Sequence, residues 1–158
     1  MDHIGSCPLV ISTGQTKDSR NPSYFTELEH RVKTAGLSER FRFLGSVDYS
    51  HVTVLMKAAV CVINPSLFEG WSTVVEEAKT LGKRLLLSNI AVHQEQASER
   101  ASYFPPHDAD ALAGLMGQVL NEYDQQVEAS ASKKAAQLLG ERQSAFGQAY
   151  ESIVLSLV

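Results

Sequence analysis

The sequence predicts an α/β fold: a Rossmann-like three-layer α/β/α sandwich built on a parallel sheet. Three observations carry that expectation. Short apolar runs alternate with segments of helical periodicity almost to the end of the chain. The runs AAVCVINP (58–65) and RLLLS (84–88) lack in/out alternation, as strands covered on both faces must. Parallel strands also need crossovers, and crossover helices cover the sheet.

Each element has its own signal. PLVIST (8–13) is a short β-branched run ending at Gly14, and YFTELEHRVKTAG (24–36) places Tyr24, Phe25, Leu28, Val32 and Ala35 at helical spacing before Gly36 stops it. RFRFLG (40–45) alternates basic and apolar residues, and DYSHVTVLMKA (48–58) follows with Asp48 as cap and Val52, Leu55 and Met56 on one face. Pro65 ends the run 58–65, a helix is expected over 73–81 up to Gly82, and 84–88 forms the next strand. An irregular stretch with a short helical turn leads to a strand at 102–104, stopped by Pro105 and Pro106. A helix over 108–123 carries Leu112, Leu115, Met116, Val119 and Leu120 at core spacing. A polar bridge (124–133) then precedes a C-terminal helix over 134–157, whose stripe of Leu138, Leu139, Phe146, Tyr150, Ile153, Val154 and Leu157 is expected to face the core.

With 158 residues, 44% of them hydrophobic, the chain reads as one domain over 1–158. A formal net charge of −4 without Lys/Arg clusters argues against nucleic acid as partner. No apolar run reaches the length of a membrane span, and the first ten residues do not resemble a secretory signal. The expected location is therefore the cytoplasm, which includes the inner membrane surface. Neither Cys7 nor Cys61 has metal-ligand spacing, and Cys61 reads as a small core hydrophobe. No metal and no cofactor is expected.

The chemistry concentrates in NPSLFEGWSTVVEEAKTLGKRLLLS (64–88). Ligands of open parallel sheets bind outside the carboxyl ends of the strands, and Asn64 to Trp71 leave such an end. Ser72 or Thr73 can cap the following helix, and Thr73 with Glu76 fits a capping box, which accounts for Glu76 but not Glu77. Free N–H groups around Ser72 to Val75 and the positive end of the macrodipole offer a seat for a phosphate, which Gly70 lets approach closely. Glu69 and Glu77 can flank that seat and, when ionised, accept hydrogen bonds from a sugar diol. A pair of solvated capping glutamates is the plainer reading of the same spacing.

The stretch PSLFEGWSTVVEEAKTLGKRLLLS, with RFLGSVDYSHVTVLMKAAVCVINPS before it and IAVHQEQASERASYFPPHDADALAGLM after it, resembles the retaining GT-B glycosyltransferases, family 4 in particular, over residues 9–120. The resemblance implies the C-terminal, donor-binding half of a GT-B fold. It implies transfer of a hexosyl unit from a UDP-, GDP- or ADP-sugar, with Glu69 on the sugar hydroxyls and Glu77 on the ribose. The backbone of Gly70, Trp71, Ser72 and Thr73 would lie on sugar and diphosphate, and Leu44 and Gly45 on the base. It assigns no proton-transfer catalyst among these residues. It also implies a missing N-terminal acceptor-binding domain and an earlier strand and helix carrying the phosphate-binding Arg and Lys, so the chain reads as a portion of a longer enzyme. Lys17 and Arg20 are either substitutes for those cations or charges of a solvated loop. The competing class is a GT-B-like domain without transfer activity, used in assembly or regulation.

Other residues carry plainer readings. His30 and His51 read as surface histidines, His107 as part of a helix entry, and Asp108 and Asp110 as first-turn helix charges. His93 and Glu95 sit in a loop at the ligand side of the sheet, either near a donor or in an ordinary loop role. Trp71 either stacks on a sugar or wedges the loop against the sheet. Nucleotide-binding glycine motifs and a hydrolase elbow are absent from the sequence.

Overall fold

The computed structural model describes residues 8–96 and 99–157, and Cys7 lies outside them. These residues form two compact units that divide between Val54 and Leu55.

In the first unit, β1 (Val10–Thr13) pairs in parallel with β2 (Phe41–Gly45), and the register shifts between Ser12 and Thr13. Between them runs α1 (Tyr24–Thr34), which ends before Gly36 at φ +69°, the left-handed conformation a helix stop requires. Phe25 of α1 meets Phe43 of β2 edge to face at 5.1 Å, and Phe43 also packs on Phe41 at 4.9 Å. A cavity of about 190 Å³ opens beside these rings, between the Gly14–Thr16 loop, α1 and Gly45. The next helix, α2 (Tyr49–Ala58), runs across the division between the units.

The second unit carries a three-stranded parallel sheet in the order β3 (Cys61–Asn64), β4 (Arg84–Ser88), β5 (Ala101–Phe104). Its middle strand explains the missing alternation, because Leu85, Leu86 and Leu87 are all fully buried. Leu85 and Leu87 point to one face, where they meet Val75 and Ala78 of α3 (Thr73–Thr80) together with Val62 and Tyr103. Leu86 points to the other, where it joins Phe104 and Val119, Leu112, Leu115 and Met116 of α5 (Ala109–Asn121). Helix layers on both faces give the expected α/β/α arrangement. Cys61 packs in the α5 layer, and burial raises its thiol pKa. The short turn expected before β5 is α4 (Ala91–Glu95), and Asp108 caps α5 by accepting from the Ala111 amide at 2.8 Å.

Two expectations about the C-terminus are corrected. No bridge separates residues 124–133 from a helix beginning at 134: a single helix of 32 residues, α6 (Gln125–Ser156), starts at Asp124, whose carboxylate accepts from the Gln126 and Val127 amides. Its alanine content and this cap outweigh the scattered serines. Nor does its distal stripe face a core, since Phe146, Tyr150, Ile153 and Leu157 are exposed and the buried residues of α6 are Glu128 and Ala135. A helix of this length extends about 48 Å, several times the span of four- and five-residue strands. Only its first turns have a sheet to cover.

Candidate functional site

The β3 strand ends at Asn64, which shares its face with Val62 and so emerges on the α3 side of the sheet. Asn64 is buried, and its carboxamide makes three hydrogen bonds. Nδ2 donates to Glu69 Oε1 and to Ser72 Oγ, each at 3.0 Å, and Oδ1 accepts from the Ser66 amide at 3.1 Å. Ser66 Oγ adds a second donor to Glu69 Oε1 at 2.8 Å. One carboxylate oxygen of Glu69 is thus held by two protein groups, and the side chain is only partly buried.

Ser72, not Thr73, is the N-cap of α3, and the expected capping box is absent. Glu76 turns instead to Lys79 Nζ and Gln96 Nε2, at 3.1 and 2.9 Å. The N-cap peptide is clamped from outside the helix by Gln96, whose Oε1 accepts the Ser72 amide at 3.1 Å and whose Nε2 donates to the Ser72 carbonyl at 2.9 Å. Lys79 Nζ reaches the Gln96 carbonyl at 2.6 Å and closes the circuit.

The start of the helix is left open as a result. The backbone of Ser72, at φ −87° and ψ 106°, suits an N-cap, yet its hydroxyl caps nothing because Asn64 holds it. Among the described residues, the amides of Thr73, Val74 and Val75 have no acceptor and face the site with the dipole of α3 behind them. Glu77 stands one turn past Thr73 on the same flank, and helical side chains lean back over the preceding turn. Its carboxylate has no hydrogen-bond partner among the described residues. What lies together, then, is a row of open donors between two carboxylates with acceptor capacity to spare.

Around this seat, Gly70 has room on every side: a Cβ would meet nothing within 4 Å, and its φ is not positive. The folded chain itself therefore does not require glycine there. Trp71 is 54% exposed and is not wedged into the sheet. Leu44 and Gly45 belong to the first unit, with Gly45 at φ +66° on the rim of its cavity. Arg20 is bound to Asp18 through two hydrogen bonds of 3.1 Å, which lower the carboxyl pKa and raise that of the guanidinium. His93 is not in an open loop: it is wholly buried in α4. Its Nδ1 lies 2.9 Å from the Ser88 carbonyl, which only accepts, so Nδ1 carries the proton and Nε2 is left buried without a partner among the described residues. Ser88 Oγ in turn donates to the Ser66 carbonyl, tying the Glu69 loop to β4.

The residues missed by sequence reasoning are Asn64 and Gln96. The only local signal for the first is a carboxamide at the end of an apolar run, and for the second there is none. Among the described residues, no cluster of His, Cys, Asp and Glu is placed to hold a metal ion, and no helix is long and apolar enough to cross a membrane.

Parallel strands with helix layers on both faces define the Rossmann-like class of α/β domains. Residues 6–137 match the family described as Glycosyl transferases group 1, and the chain belongs to that family. It is 27% identical over 100 residues to the O-antigen chain mannosyltransferase RfbU of Salmonella typhimurium, a match covering 63% of this chain and 27% of that protein. Among solved structures, Anabaena Alr3699/HepE in complex with UDP and glucose superposes with a TM-score of 0.74 at 22% identity, over 94% of this chain and 41% of that one. Sucrose-phosphate synthase from Thermosynechococcus elongatus gives 0.70 at 22% identity, over 92% and 38%. These likenesses give the fold as the Rossmann-like arrangement of GT-B glycosyltransferases. The chain spans about a quarter of the length of the curated relatives it matches.

Proposed function

We propose that the chain is the donor-binding domain of a retaining, family 4-like glycosyltransferase that moves a hexosyl unit from a nucleoside diphosphate sugar to an acceptor. The longer protein would supply the acceptor-binding domain, the phosphate-binding cations and the catalytic cleft. The observation that carries this is the state of the α3 start, where three amides are left open while the hydroxyl able to cap them is held elsewhere. Such a row of donors suits the diphosphate. Glu69, one oxygen fixed by Asn64 and Ser66, presents the other to sugar hydroxyls, and Glu77 takes the ribose diol. Gly70 through Thr73 supply backbone against sugar and diphosphate. Leu44 and Gly45, in the first unit, are kept as the candidate contacts of the base.

The reading is supported by the family match and by the Anabaena neighbour, which was solved in complex with UDP and glucose. Calorimetry with UDP-, GDP- and ADP-sugars on the full-length enzyme and on its Glu77→Ala variant tests it. Loss of hydrogen bonds to an ionised acceptor costs about 1.5 to 3 kcal/mol, so the best donor should bind the variant about tenfold to a hundredfold more weakly. Equal affinity for the two proteins sinks the ribose assignment. Retention is tested on the full-length enzyme by the anomeric configuration of the product.

A further inference from the structure

We infer that Asn64 is the positioning residue of this site, holding the α3 seat open and aiming Glu69 with a single carboxamide. The inference rests on the donor-binding reading above and adds a residue that reading does not need. Asn64 is 7% exposed, so its contacts are internal, and three of the four hydrogen bonds its side chain can make are used by protein. The two donations go to different partners: one to Glu69 Oε1, which fixes the carboxylate, and one to Ser72 Oγ.

The second donation has an effect beyond packing. Serine at an N-cap with extended backbone ordinarily turns its oxygen onto the amide two or three residues on, here Val74 or Val75. Ser72 has that backbone and does not make that bond. Its peptide is already held by Gln96, so the position of the residue does not depend on a side-chain cap. Asn64 therefore withholds the hydroxyl from the amides, and Gln96 makes that arrangement stable. Without the carboxamide, Ser72 Oγ is free to rotate onto the first turn and fill the seat from inside, while Glu69 loses one of its two fixed donors.

The mechanism separates Asn64 from a residue that only supports the fold, because its loss should be reversible by removing the hydroxyl. In Asn64→Ala, binding of the nucleoside diphosphate weakens about tenfold or more, the scale of one charge-assisted hydrogen-bond set. In Asn64→Ala/Ser72→Ala, diphosphate affinity returns, but the additional affinity contributed by the attached sugar does not, because Glu69 remains unaimed. Hydrogen exchange on the ligand-free proteins reads the same event directly: the Val74 and Val75 amides exchange more slowly in Asn64→Ala than in the parent, and the double variant removes that protection. If Asn64→Ala fails to fold, Asn64→Leu keeps roughly the volume, removes both donations and offers the Ser72 hydroxyl no new partner, and the same pattern is expected with and without Ser72→Ala.

Parent-like exchange in the single variant overturns the inference, and so does a double variant that binds diphosphate as weakly as the single one. A full-length enzyme that binds no nucleoside diphosphate instead overturns the donor-site reading, while exchange at α3 still decides whether Asn64 governs Ser72.

Discussion

The two ends of the three-stranded sheet both bury polar groups, and they treat them in opposite ways. At the amino end the groups are charged and paired with one another. Glu128 of α6 receives Arg84 at 2.9 Å and Arg100 at 2.5 Å, and Arg84 also reaches Glu122 at 3.0 Å. Burial pulls the Glu128 carboxyl up, but the hydrogen bonds and charges of the two arginines together outweigh it and hold the group below the ordinary glutamate range. At the carboxyl end the groups are mostly neutral, held by Asn64, Ser72, Ser88 and Gln96, and capacity is left over: three helix amides, one oxygen of Glu69 and the carboxylate of Glu77. The closed end fastens α6 to the sheet. The open end keeps donors and acceptors that no protein group among the described residues fills.

Substitutions that attack the closed end should change stability most. Gly82 sits at φ +68°, and a Cβ there would lie 2.6 Å from the Ala131 carbonyl oxygen of α6. Backbone cannot give way as a side-chain tip can, so Gly82→Ala should cost about 3 kcal/mol from strain and overlap together, read as a lower urea midpoint. Glu128→Gln keeps the volume and removes the charge between two arginines. Because those arginines are partly exposed, the loss should be smaller, about 2 kcal/mol at neutral pH. Its sign with pH follows from the depressed carboxyl: the stabilisation is present above the ordinary glutamate range and is lost as pH falls through the lower folded value. Denaturation midpoints of parent and Glu128→Gln should therefore converge on acidification. A constant gap would mean that the network does not titrate as a stabilising unit.

The same contrast explains what could be read from the residues alone. The strands were legible because Leu85, Leu86 and Leu87 are covered on both faces and composition records that directly. Glu69, Glu77 and the start of α3 fall in one local stretch, so their nearness in the fold follows from the sequence directly. Gln96 was not, since it meets Ser72 across 24 positions and replaces the capping box that the spacing of Thr73 and Glu76 suggests. Glu128 meets Arg84 across 44 positions and lies in a segment that reads as a polar bridge. The stripe from Phe146 to Leu157 shows the remaining limit: periodicity says which side of a helix is apolar, not whether anything covers it.

The smallest expected effect on the fold is the sharpest test of the open end. At Gly70 the chain offers no reason for glycine, with no positive φ and no atom within 4 Å of an added Cβ. Gly70→Ala should therefore leave the urea midpoint unchanged or raise it slightly, since alanine lowers the conformational entropy of the unfolded chain by an amount equivalent to about 0.4 to 1 kcal/mol where its conformation is allowed. If the space beside Gly70 belongs to a sugar or diphosphate, the methyl group enters that space and donor affinity falls while stability does not. Paired calorimetry and urea titration on one variant thus separate the two kinds of glycine in this unit: at Gly82 the methyl group meets protein, and at Gly70 it meets only what binds there. Unchanged donor affinity in Gly70→Ala would remove Gly70 from the site and move the donor away from the loop between β3 and α3.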